Sequence, residues 1–382
     1  MKYYLIAGER SGDQHGANLI RALMREDPDA EFRCLGGEAM QEAGATVAMH
    51  YRRIAIMGFA ELLFSVFRII GALRFCRRDI KKYRPNVLIL IDFAGFNLRL
   101  ARSAKKMGLR VYYYITPKVW AWNSSRVRLL ERYTDHLFVI LPFEEAFFAK
   151  FDIAAHFVGN PVQDFVAAFE PKGDLYELHG FSPDKPIVAL LPGSRKQEIA
   201  RLLPDMAQLA KRFPDIQFGL SVVGNVDYEL YRIAQDVPNI IPVPEDTFNL
   251  LLHSDAAIVA SGTATLETAL FEVPQVVVYK ASWLSYQVAR RLIKVKFISL
   301  VNLIAEEEVV VELIQQDLNA DALAEELFRI MQDAHYRNKI LRGYKKVIQI
   351  LGTDGASRKA AQLMHYYLTE DRQGGLRAIR QP

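Results

Sequence analysis

The sequence predicts an α/β fold made of two doubly wound parallel sheets, and three observations carry that prediction. Short, nearly continuous apolar runs alternate with amphipathic helical stretches, the rhythm restarts midway along the chain, and several runs lead through a glycine-bearing loop into a helix. Unbroken apolar runs mark parallel strands covered on both faces, and strand–helix alternation is the rhythm of a doubly wound sheet.

In the first half, residues 3–7, 32–35, 87–91, 110–115 and 136–141 read as strands, with amphipathic segments at 16–26 and 98–107 between them. After a proline- and glycine-containing stretch at 159–186, residues 187–191 open a second set of strands. Residues 216–223, 256–259 and 275–279 continue it, with helices at 200–213 and 265–271. Two Rossmann-like domains with a hinge near 159–186 are the simplest architecture. We place them at 1–165 and 166–345, followed by a C-terminal helix and basic tail at 346–382. The helical stretches over 320–368 are expected to pack back across the halves, and the polar tail from 370 to be mobile.

Composition sets outer limits. A chain of 382 residues exceeds what one core normally serves, and 51% hydrophobic with 24% charged residues is ordinary for a folded protein. A net charge of +4 is too small to argue for nucleic acid. Cys34 and Cys76 show no paired spacing, so neither a disulfide framework nor a cysteine zinc site is expected, and a reducing compartment fits. The apolar start meets Glu9 and Arg10 before it could form a signal core. No run reaches the roughly 18–20 apolar residues of a membrane span. A cytoplasmic protein is expected, with the membrane surface still open to it.

The chemistry should lie in the loops. Both halves open as strand, glycine loop, helix: Gly8-Glu9-Arg10-Ser11-Gly12-Asp13 in the first, Leu191-Pro192-Gly193-Ser194-Arg195 in the second. Glycine lets a ligand approach the backbone, and a following helix offers unpaired N–H groups to an anion. Neither loop is a Walker A or GxGxxG motif, and each could be a plain tight turn. A third loop, Ser261-Gly262-Thr263-Ala264-Thr265-Leu266-Glu267, adds hydroxyl donors at Ser261, Thr263 and Thr265 and would suit a diphosphate. Glu267 would repel phosphate and is better placed to accept from ribose hydroxyls or to favour its own helix. Arg195 would supply positive charge, pairing bidentately with phosphate. Asp92 follows an apolar strand, where open α/β sheets bind ligands, and is the candidate general base. Glu9, Asp13 and His15 are rivals, and Asp13 could equally cap the helix that follows. No cluster has metal-ligand spacing.

These motifs carry a resemblance. Ala7–Asp13, Gly36-Gly37-Glu38-Ala39-Met40, Ile91-Asp92-Phe93-Ala94-Gly95-Phe96-Asn97 and Tyr114-Ile115-Thr116-Pro117-Lys118-Val119-Trp120-Ala121-Trp122 resemble the lipid-A-disaccharide synthase family. Leu141-Pro142-Phe143-Glu144 and the two later loops do as well, so the likeness runs in order along most of the chain. It implies the GT-B glycosyltransferase fold and an inverting, metal-independent transfer without a cofactor. The implied donor is UDP-2,3-diacylglucosamine, the acceptor 2,3-diacylglucosamine 1-phosphate, and the products a β-1,6 disaccharide and UDP. It favours Asp92 as the base. It points to Gly193, Ser194, Arg195, Ser261, Gly262, Thr263, Ala264, Thr265, Glu267 and Asn302 for the UDP-sugar. For the acceptor it points to Glu9, Ser11, Gly12, Asp13, Met57, Gly58 and Asn97. It also implies a homodimer. Asn160, Ala94, Val301, Glu306 and Val311 depart from the family pattern, bearing on donor affinity and rate more than on fold.

Phe59, Leu62, Leu63, Val66, Phe67, Ile70 and Leu73 recur at helical spacing, followed by Arg68, Arg74, Arg77, Arg78, Lys81, Lys82 and Arg84. An apolar face with a basic flank suits docking on anionic lipid at the inner membrane surface, and an ordinary core helix is the plainer alternative. Interleaved stacking aromatics for nucleic acid are lacking. Two other function classes share the fold: an isomerase of the UDP-N-acetylglucosamine 2-epimerase type, against which the apolar stripe argues, and a non-catalytic UDP-sugar or lipid-binding protein.

Overall fold

The computed structural model describes residues 1–54, 62–122, 126–224, 226–283, 286–287, 295–352 and 355–379, with 62–66, 121–122 and 371–379 described as backbone. The chain forms two compact units, residues 1–161 with 353–382, and residues 162–352.

The first unit holds a seven-stranded parallel sheet: β1 (Lys2–Ala7), β2 (Glu31–Gly36), β3 (Thr46–His50), β4 (Val87–Ile91), β5 (Arg110–Tyr114), β6 (His136–Val139) and β7 (Ala155–Phe157), in the order β3-β2-β1-β4-β5-β6-β7. Its central strands are buried throughout because alternate residues enter different cores. Tyr3, Leu5, Ile89, Tyr112 and Tyr114 face α1 (Arg10–Glu26) and the last helix, Ala356–Ile379. Tyr4, Ile6, Leu90 and Tyr113 face the other side, with α3 (Leu62–Tyr83) and α4 (Ala94–Lys106). The short α2 (Glu38–Glu42) follows β2. Helix α3 is fastened by Asp79, which accepts from Tyr4 Oη at 2.7 Å and Arg33 Nε at 2.7 Å.

The second unit holds a six-stranded parallel sheet: β8 (Ile187–Leu191), β9 (Gln217–Val222), β10 (Ile240–Pro244), β11 (Ala256–Ala260), β12 (Gln275–Tyr279) and β13 (Glu312–Ile314), in the order β10-β9-β8-β11-β12-β13. Helices Lys196–Arg212 and Ala264–Leu270 follow β8 and β11.

The two Rossmann-like sheets and the helical return to the first unit agree with the sequence. Four strands were not read there: β3, β7, β10 and β13, all at or next to sheet edges. The tail from 370, expected to be mobile, continues the last helix to Ile379. Among the described residues, no helix is long and apolar enough to cross a membrane.

Candidate functional site

In each sheet the strand order reverses at one point, between β1 and β4 in the first unit and between β8 and β11 in the second. Ligands of open α/β sheets bind beyond the carboxyl ends of the strands at such a reversal. The four loops singled out in the sequence follow these four strands. β1 runs into Gly8–Asp13 and β4 into Asp92–Asn97, while β8 runs into Gly193–Arg195 and β11 into Ser261–Glu267.

The first crevice is tightly built. Asp92 and Phe93 both take left-handed backbone, with φ of 43° and 45°, at about 1–2 kcal/mol each for non-glycine residues. Hydrogen bonds hold this turn. The Asp92 carbonyl accepts from Tyr113 Oη at 2.6 Å and from Asn97 Nδ2 at 2.8 Å, and the Asp92 amide donates to the Tyr114 carbonyl at 3.2 Å. Ile115, beyond the neighbouring β5, is also left-handed at φ 60°, and a β-branched residue rarely adopts that conformation. Strained backbone fixed by its surroundings is characteristic of functional sites. A Cβ on Gly8 would lie 2.2 Å from the Phe93 ring, so the β1 loop must carry glycine for Phe93 to fit.

The Asp92 carboxyl is pushed up to about 6, first by burial and then by the Glu9 charge, with Lys118 and the Phe93 amide pulling it back. Glu9 is exposed and accepts from Ser11 Oγ at 2.9 Å. Gly12 packs on Ala7. Asn97 is buried and serves the Asp92 turn. His15 lies one turn beyond Ser11 on α1.

Asp13 corrects the sequence reading. Helix α1 begins at Arg10 with Glu9 as its N-cap, so Asp13 lies inside the first turn and caps nothing there. It is 3% exposed. Its carboxylate accepts from Gly37 N at 2.6 Å, Ala39 N at 3.0 Å and Met40 N at 3.3 Å. It anchors the turn into α2.

Nearby, Glu144 is fully buried and accepts from Thr116 Oγ1, Trp120 Nε1 and the amides of Ile140 and Leu141. Burial pushes it up to about 7. It ties the Thr116–Trp120 segment, and so Lys118, to the end of β6. The Leu-Pro-Phe-Glu motif was noticed in the sequence, but this role was not.

The second crevice is open. Arg195 is 79% exposed and pairs with Glu198 at 2.7 Å. Gly193 sits at φ 102°, left-handed backbone that favours glycine. Ser194 and Thr263 are exposed, and a Cβ on Gly262 would meet nothing within 4 Å. Ala264 opens the helix Ala264–Leu270. Burial lifts the Glu267 carboxyl to about 7.

Three donor-side residues are engaged elsewhere. Ser261 Oγ donates to the Ile298 carbonyl at 2.9 Å. Thr265 is buried, donating to Gly262 O and accepting from Leu300 N. Asn302 is fully buried: its Nδ2 donates to Val310 O and Glu312 Oε1, and its Oδ1 accepts from Val309 N and Val310 N. An amide side chain offers two donors and two acceptor sites, so nothing is left for a sugar and the expected donor contact gives way to a structural role. Glu306, one of the departures, ends the helix Leu300–Ala305 in left-handed backbone at φ 58°. Asn160 is buried, with Nδ2 at 3.5 Å from the Ile140 carbonyl.

Met57, Gly58 and Phe59 lie outside the described residues. Leu62, Leu63 and Val66 lie on α3. Phe67 is 75% exposed, Ile70, Arg77 and Arg78 are exposed, and Leu73 turns into the core.

Against known proteins, a family model described as lipid-A-disaccharide synthetase matches residues 3–366. A lipid-A-disaccharide synthase of Coxiella burnetii is 37% identical over 365 residues, 94% of this chain and 97% of that protein. One of Geobacter sulfurreducens is 39% identical over 366 residues, 94% and 95% of the two chains. Among solved structures, a UDP-GlcNAc 2-epimerase from Neisseria meningitidis bound to UDP-GlcNAc superposes with a TM-score of 0.66 at 12% identity, covering 97% of this chain and 100% of that one. A calicheamicin glycosyltransferase gives 0.61 at 17%, covering 96% and 98%. At such identities the structures share the fold alone.

Proposed function

The chain belongs to the lipid-A-disaccharide synthase family, a glycosyltransferase family of lipid A biosynthesis, and from that premise we propose how its residues divide the reaction. The donor is UDP-2,3-diacylglucosamine and the acceptor 2,3-diacylglucosamine 1-phosphate. Asp92 takes the proton from the acceptor 6-hydroxyl, whose oxygen attacks the donor's anomeric carbon as the bond to UDP breaks. One displacement inverts that carbon to the β-1,6 linkage. Arg195, with the loops at Gly193–Ser194 and Gly262–Ala264, takes up the charge of the departing diphosphate without a metal ion. Glu267 accepts from the ribose. The first unit holds the acceptor and rests on the cytoplasmic face of the inner membrane through α3, and the enzyme works as a homodimer, which sedimentation equilibrium would test.

The observation that carries this reading is Asp92: a carboxylate in strained, hydrogen-bonded backbone at a strand-order reversal, lifted to about 6. A base with that value is ionised at neutral pH and still close enough to it to accept a proton. The test is acceptor-dependent UDP release with a disaccharide product. In Asp92→Asn, turnover should fall by roughly 10²–10⁴-fold while UDP binding stays, and the wild-type rate should drop as pH falls through about 6. Because the folded-state value is raised, ionising Asp92 works against the fold. Asp92→Asn should therefore melt above wild type at pH 8, and the gap should close on acidification towards the carboxylate's ordinary range. Retained turnover would move the base to Glu9, Asp13 or His15.

A further inference from the structure

A cluster of cations lies at the far end of α4 from the Asp92 turn. Arg77 of α3 and Arg102, Ser103, Lys106 and Met107 at the end of α4 line an open cavity of about 390 Å³. Arg77, Arg102 and Lys106 are exposed, and among the described residues none of the three pairs with a carboxylate. Neighbouring acids are engaged with other cations: Asp135 with Lys105 at 2.7 Å, and Asp79 with Arg33 at 2.7 Å. Three like charges facing one cavity repel one another until an anion joins them. Guanidinium forks beside an ammonium match the tetrahedral oxygens of a phosphate.

The cavity continues an exposed stripe. Phe67, Ile70, Arg74 and Arg77 fall at i, i+3, i+7 and i+10 on α3, and all four are exposed. From Ile70 to Arg77 the helix advances about 10 Å. An interfacial helix sinks its apolar residues roughly 5–10 Å into the boundary between headgroups and acyl chains. On a helix lying in that plane, cations farther along the same stripe stay within reach of the lipid phosphates, because long basic side chains snorkel to the headgroup level.

We propose that the Arg77–Arg102–Lys106 cavity is a headgroup site that seats the phosphodiester of an anionic phospholipid while Phe67 and Ile70 enter the acyl boundary. The source of the phosphate rests on the membrane-facing reading of α3; the cavity's preference for a phosphate does not.

The experiment measures binding of the full chain to phosphatidylcholine vesicles containing phosphatidylglycerol. It compares Arg102→Gln/Lys106→Gln with Lys81→Gln/Lys82→Gln, an equal charge change on α3 outside the cavity. All four side chains are exposed, and melting curves check that both variants fold. The cavity pair should weaken binding by roughly fivefold or more beyond the control pair, since seated charge-assisted hydrogen bonds add to general attraction. Equal losses would overturn the headgroup site and leave membrane docking standing. If wild type ignores the vesicles but inorganic phosphate raises its melting midpoint, and not that of the cavity variant, the ligand is a soluble phosphate and the lipid source is overturned. If neither probe binds, both readings fall.

Discussion

The two crevices share a topology and differ in texture. Beyond β1 and β4, side chains fill the space: Phe93 occupies the room left by Gly8, Asp13 is fastened by three amides, and the Asp92 turn is held by Tyr113 and Asn97. Beyond β8 and β11, Arg195 and Thr263 reach solvent and the missing side chain of Gly262 faces nothing. The difference fits a division of labour. A proton-accepting carboxylate must be partly desolvated and held still before substrate arrives, since its strength as a base comes from that environment. A highly charged diphosphate is better met by groups that remain hydrated until it binds.

Substitutions can break or sharpen that contrast. After Asp92→Asn, the largest effect should come from the open side: Arg195→Ala should lower kcat by roughly 10²-fold, as loss of a charge-stabilising donor does, with an unchanged melting curve because the side chain carries little packing. A rate within twofold of wild type would take Arg195 out of the chemistry. Next comes a matched glycine pair. Gly8→Ala drives a methyl into the Phe93 ring and should destabilise by about 1–3 kcal/mol. Gly262→Ala should stay within about 0.5 kcal/mol and instead weaken UDP binding. Equal losses in denaturant titrations would erase the distinction between the crevices. An effect on stability alone is expected at Glu306, where glycine relieves left-handed backbone. Glu306→Gly should stabilise by about 1 kcal/mol, and a lower urea midpoint would contradict that.

Much of this contrast could be read from the chain, because it rests on local patterns. The central strands β4, β8 and β12 begin and end where the apolar runs do. The edge strands were invisible for a physical reason. β10 carries Pro242 and Pro244, and β13 is half-buried throughout, so neither shows the unbroken apolar run of a doubly covered strand. The loops were found through their glycines, but the roles of individual polar residues were not. Asp13 finds its donors 24 to 27 residues away, and Asn302 closes a loop 7 to 10 residues on. A carboxylate or amide looks the same in sequence whether it faces a ligand or a neighbouring turn. Asp92 was identified by position, whereas its strained backbone and raised carboxyl emerge only from packing.

The last helix has a consequence for synthesis. Ala360, Ala361, Met364 and Leu368 complete the core over α1, although the rest of that unit ends at Pro161. On the ribosome the N-terminal sheet therefore waits, its α1 face uncovered, while residues 162–352 emerge and can close their own core first. The half made first finishes last. Pulse-labelled nascent chains should gain protease resistance over 162–352 before they do over 1–161, with chaperones shielding the waiting face in the interval.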